Sequence, residues 1–139
     1  MDKALNYLAL ARKGGMAELG EEPVGGAARS GKAYVILVAS DAGDHTWRRA
    51  KAFAAGTDQQ AIRLPYTKDE MGMAVGRTSL AIAAMTDPAM ALAFLKSLED
   101  PQKYAEAMED LQGRTKRIRQ RQTEEKAHQR NKRFGNKRK

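Results

Sequence analysis

Two sets of side chains in this 139-residue chain carry chemistry beyond packing: a histidine beside two aspartates, and a dense run of arginines and lysines near the C-terminus. The histidine is His45, in Asp41-Ala42-Gly43-Asp44-His45. A histidine works as a catalytic base when a nucleophile or an orienting carboxylate lies within hydrogen-bond reach. The chain has no cysteine, and Asp41 and Asp44 fall in a polar stretch where carboxylates cap turns. His128 stands alone in the C-terminal region, and no His/Asp/Glu group has metal-ligand spacing. No glycine-rich phosphate loop is present. The expectation is a non-enzyme with no catalytic residue, no metal and no cofactor.

The basic set has a clearer chemistry. On a helix, Arg114, Arg117 and Arg121 share one face, with Ile118 adjacent. Guanidinium forks match phosphate oxygens, and arginine-rich segments fold on RNA. Arg130, Lys132, Arg133 and Lys137 to Lys139 extend the path. The net charge is +8, and it is not spread evenly. Residues 1–100 hold 12 Lys/Arg and 12 Asp/Glu, whereas residues 101–139 hold 13 and 5. All of the excess sits in the last segment, which implies a polyanionic partner.

These residues need a scaffold, and the apolar pattern supplies one. Leu5, Leu8 and Ala9 recur at helical spacing, and Gly14-Gly15 ends that helix. Met16 to Leu19 reads as an edge strand. Glu21-Glu22-Pro23 opens a second helix, closed by Ser30-Gly31. Tyr34 to Ala39 is a continuous apolar run, the mark of a strand covered on both faces. A helix through Trp47, Ala50 and Ala54 follows, with Trp47 expected in the core. Ala61 to Leu64 gives a strand stopped by Pro65. Thr67 with Glu70 forms a capping box for a short helix over Met71, Ala74 and Val75. Leu80 to Met85 is another buried-type strand. Thr86-Asp87-Pro88 starts a helix whose stripe is Ala91, Leu92, Leu95 and Leu98.

The fold class implied is α/β: a three-layer α/β/α sandwich with a small mixed sheet, followed by a basic C-terminal helix or disordered tail. Residues 1–100 form the expected domain and residues 101–139 the extension. Tyr104, Met108, Leu111 and Ile118 keep helical spacing past Asp100-Pro101, but Arg119 to Lys139 offers only Ala127 and Phe134 as apolar residues. Residues 1–10 carry Asp2 and no signal-peptide core, and no stretch nears the roughly 18 apolar residues of a membrane span. A cytoplasmic, monomeric protein is expected.

Several segments carry a family likeness. Leu5 to Gly15, Ala27 to Ala33 leading into Val35 to Val38, and above all Met71-Gly72-Met73-Ala74-Val75-Gly76 resemble the ribosomal protein L-seven-Ae/L-thirty-e superfamily, in its short bacterial subgroup related to kink-turn binders. The resemblance implies an RNA-binding domain that acts in ribosome function or assembly, with structured or ribosomal RNA and ribosomal proteins as partners. It places the RNA surface at Gly20 to Gly26 and Gly76 to Ser79. The candidate RNA-binding residues are Arg12, Lys13, Gly20, Glu22, Arg29, Lys32, Gly76, Arg77 and Thr78, together with Arg114, Arg117 and Arg121. Arg29, Lys32 and Arg77 are expected near the RNA-facing end. The chain departs from the family where kink-turn binders carry Gly-x-Asn-Glu-x-x-Lys. Gly20 matches, but Glu22, Pro23 and Gly26 replace the three selective residues. A protein-interaction module whose tail attracts polyanions non-specifically is the alternative reading.

Overall fold

The computed structural model describes residues 2–57, 59–98 and 103–113. Along the chain lie α1 (Lys3–Lys13), β1 (Ala17–Leu19), α2 (Glu21–Arg29), β2 (Val35–Val38), α3 (Asp44–Ala54), β3 (Gln60–Arg63), α4 (Lys68–Ala74), β4 (Ile82–Met85) and α5 (Pro88–Ser97). Residues 105–113 form a further helix.

Local chemistry fixes most boundaries. The Asp2 carboxylate accepts the Ala4 N–H at 2.9 Å and opens α1. Gly15, at φ 71°, turns the chain after it. The Thr67/Glu70 capping box is formed, with each residue bonded to the other's backbone. Asp87 accepts the Met90 N–H at 2.9 Å and Pro88 occupies the first turn of α5.

The four strands run in the order β1-β4-β2-β3. Strand β4 is antiparallel to both β1 and β2, and only β2 and β3 are parallel, so the sheet is mixed. All four residues of β2 and all four of β4 are buried, as a strand covered on both faces requires. Helices α1, α4 and α5 pack together, as do α2 and α3, which makes the α/β/α sandwich. Ala83 and Ala84 keep β4 thin enough for helices to close on either side.

Register defines two ends of the sheet. At one, here the lower end, Ala17, Met85, Val35 and Gln60 stand side by side. At the upper end stand Leu19, Ile82, Val38 and Arg63, followed by Gly20, Ala39 and Leu64. Helices α2, α3 and α4 start at the upper end, and α5 starts at the lower.

The Met71 to Gly76 motif has a direct structural meaning. A Cβ on Gly72 would sit 2.8 Å from Arg77 O and from the backbone of Ser79, so only glycine lets that loop close on α4. Gly76 turns the chain at φ 73°, and the Arg77 N–H returns to Gly72 O at 2.8 Å. Met71 and Val75 are the buried members and Met73 is exposed. Gly25 plays a similar part between helices, since a Cβ there would meet the Phe53 ring at 2.9 Å.

Packing continues beyond the boundary that composition placed at residue 100. Tyr104, Ala107 and Leu111 are 3%, 7% and 2% exposed and belong to the same core. The Gln60 amide donates to Asp110 Oδ2 at 2.6 Å, which pins this helix to the lower end of β3. Arg114, Arg117, Arg121 and the rest of the basic extension lie outside the described residues.

Two stability outcomes follow from this packing. Gly72→Ala should lower stability by about 1–3 kcal/mol through overpacking, whereas Gly26→Ala, with open space at its Cβ, should be neutral or raise it by about 0.5–1 kcal/mol. Urea unfolding of the two variants checks both. A chain ending at residue 113 should melt like the full chain. One ending at residue 100 should lose about 3 kcal/mol or more, because burial of a large apolar side chain contributes about 1.5–3 kcal/mol.

Candidate nucleic-acid interface

The upper end brings together the segments that the family likeness selects. Gly20, at φ 95°, is the residue before α2, and its N–H bonds to Ile82 O at 3.0 Å. That bond ties the start of α2 to the strand that emerges from the Gly76–Ser79 loop. A Cβ on Gly20 would lie 3.9 Å from Arg77 Nη1, so the Arg77 guanidinium stands beside the glycine. Gly76, Arg77 and Thr78 are exposed, as is Glu22 in the first turn of α2. A helix start of this kind offers free N–H groups and a positive dipole end to a phosphate.

Its charges work against that offer. Glu21 and Glu22 fill the first turn of α2. Glu21 Oε1 is bonded by Arg49 Nε at 2.7 Å, and Arg49 in turn lies over the Phe53 ring at 5.3 Å. His45 Nε2 is 3.9 Å from the same carboxylate oxygen and is itself exposed. Arg49 was not singled out by the sequence pattern. A strand and a turn separate it from Glu21, so only the docking of α3 on α2 makes the pair. Asp41 accepts the Lys68 N–H at 2.8 Å, and Tyr66 donates to Asp2 at 2.6 Å. Arg63 spans the Ser40 and Ala42 carbonyls at 3.1 and 3.3 Å and lies 5.0 Å from the Trp47 ring. Trp47 is half-buried and packs against the core. Arg49 and Arg63 are therefore engaged in the fold, whereas the Lys68 ammonium and the Arg77 guanidinium have no carboxylate partner among the described residues. The carboxylate that His45 approaches is that of Glu21, from another helix, and not its sequence neighbours Asp41 and Asp44, and no group of three or more His, Asp or Glu side chains among the described residues is placed to hold a metal ion.

The candidate residues do not form one cluster. Gly20, Glu22, Gly76, Arg77 and Thr78 occupy the upper end. Arg12, Lys13, Arg29 and Lys32 lie at the lower end, where α1 and α2 finish. The expectation that Arg29 and Lys32 adjoin the upper surface is corrected by the register. Lys32 precedes Tyr34, whose N–H bonds to Met85 O at 2.8 Å, and Met85 is the lower residue of β4. Helix α2 spans the height of the sheet, so residues at its two ends, close in sequence, face opposite directions. No helix among the described residues is long and apolar enough to cross a membrane.

No family model matches the chain, and no curated protein matches it in sequence. Among solved structures, a Bacillus halodurans protein of unknown function is similar at 21% identity and a TM-score of 0.66, over 72% of this chain and all of that one. A Giardia lamblia 15.5 kD RNA-binding protein is similar at 15% identity and a TM-score of 0.56, over 67% of this chain and 79% of that one. Both likenesses concern the fold, which this chain shares with a protein that binds RNA.

Proposed function

We infer that this protein binds structured RNA without acting on it chemically, as an accessory of the ribosome or its assembly in the cytoplasm, and that its basic extension supplies most of the affinity. One observation carries the reading: residues 1–113 hold 13 Lys/Arg against 15 Asp/Glu, whereas residues 114–139 hold 12 against 2. A nearly neutral folded unit joined to so basic a segment suits a partner of repeating negative charge. The fold shared with an RNA-binding protein supports RNA as that partner. The kink-turn class receives less support, because Glu22, Pro23 and Gly26 stand where the family likeness expects Asn, Glu and Lys.

Deleting residues 114–139 is expected to remove most RNA affinity. Each neutralised phosphate contributes about −0.7 to −0.9 to the slope of log affinity against log salt. With half of the segment's cations engaged, the segment contributes roughly −4 to −5 to the slope, and the truncated chain keeps only about −1 to −2. Titrations with a folded RNA at several salt concentrations decide it; equal affinities and slopes would move the binding to the folded unit. A second outcome concerns specificity. Glu22→Asn, Pro23→Glu and Gly26→Lys together should raise affinity for a kink-turn RNA over a plain duplex, since a Cβ at Gly26 meets nothing within 4 Å. A wild-type chain that already prefers the kink-turn as strongly would refute the importance assigned to these departures.

A further inference from the structure

We propose that the folded unit meets the RNA backbone with the lower end of the sandwich, opposite the end that the family likeness selects. The proposal rests on the RNA-binding reading above and adds to it the surface and its orientation.

Three observations point to this end. First, Arg12, Lys13, Arg29 and Lys32 are all exposed there, and none pairs with a carboxylate among the described residues. At the upper end Arg49 is held by Glu21 and Arg63 by two carbonyls and Trp47, and the remaining Lys68 and Arg77, though unpaired among the described residues, stand where the starts of α2, α3 and α4 place Glu21, Glu22, Asp44, Asp69 and Glu70. Arg12, Lys13 and Arg29 stand in last helical turns, where the dipole favours cations in any protein. Lys32 does not share that explanation, since it lies beyond the end of α2 in the turn led by Gly31, at φ 71°.

Second, the surface is concave. An open hollow of about 650 Å3 runs along α2 beside β1, from Pro23 in the first turn of the helix to its lower mouth, where Gly15, Ser30, Gly31, Lys32, Tyr34 and Thr86 line it. Gly15 and Gly31 leave main chain uncovered, which lets a sugar-phosphate strand approach closely. The Thr86 hydroxyl, the Lys32 ammonium and the Tyr34 ring are the kinds of group that recognise phosphate, ribose and a stacked base, while Ser30 Oγ, which donates to Ala27 O at 3.2 Å, can accept from a ribose hydroxyl. Glu18 is the one carboxylate in the lining.

Third, the described chain finishes close to this end. Gln59 Nε2 bonds to Ala28 O, at the finish of α2, at 3.2 Å. Its neighbour Gln60 bonds to Asp110 at 2.6 Å. Gly113 is one helical turn beyond Asp110, and the charges begin at Arg114. The last described residue is thus joined through two side-chain bonds to the helix that carries Arg29 and leads into Lys32. The described chain therefore ends nearer to the lower end than to Gly20 and Arg77.

Two double variants of the full chain, matched in charge change, test this. One is Arg12→Gln with Lys32→Gln at the lower end, and the other is Lys68→Gln with Arg77→Gln at the upper end. Thermal melts matching the wild type establish that both fold. Titrated with a labelled RNA hairpin at about 0.1 M salt, the lower pair should lose about tenfold in affinity, with a salt slope shallower by about 1 to 1.5. The upper pair should stay within about twofold. Ultraviolet crosslinking of the wild-type complex should place RNA on Tyr34. Equal losses from the two pairs, or a larger loss from the upper pair, would overturn the orientation while leaving RNA binding intact. A wild-type chain without salt-dependent RNA affinity would overturn both.

Discussion

Everything in this molecule is arranged around the pairing of β4 with a neighbour on each side. Strand β4 donates and accepts along both edges, to β1 and to β2, and all four of its residues are buried. A backbone buried this deeply must have its polar groups paired, so the register of the three strands is fixed together. The register then decides which loops meet. It sets Gly20 beside the residues that follow the Gly76–Ser79 loop, and Gly15 beside Thr86 and Tyr34. Ala83 and Ala84 contribute through their small size, because layers of helix must approach both faces.

The two ends created in this way differ in how their charges are used. At the upper end the helix starts gather carboxylates, as helix dipoles favour, and the cations present bridge elements. Glu21 and Arg49 join α2 to α3, and Arg63 closes the loop after β2. At the lower end the helix finishes gather cations that have no carboxylate partner among the described residues. The same dipole rule thus acts at both ends, but at the upper end the unpaired Lys68 and Arg77 share the surface with the carboxylates of three helix starts. A likeness of fold does not fix where a binding face lies. Sites are carried by side chains, and the side chains at the start of α2 here are two glutamates and a proline.

Sequence alone determined the element order, the caps and the buried strands. These depend on neighbours within a few positions: Asp2 before α1, the Thr67/Glu70 box, Asp87-Pro88, and the unbroken apolar runs at Val35–Val38 and Ile82–Met85. The charge asymmetry was equally legible, because charge counts do not depend on conformation. Tertiary structure decided what depends on distant contacts. The antiparallel placement of β1 and β4 within a chain of alternating strands and helices needed the register itself. The burial of Tyr104, Ala107 and Leu111 needed the surface they cover, which composition does not describe. The separation of Arg29 and Lys32 from Arg77 needed the length of α2, which carries sequence neighbours to opposite ends of the sheet. The requirement for Gly72 became a physical one only when the backbone of Arg77 and Ser79 was seen to occupy the space of its missing Cβ.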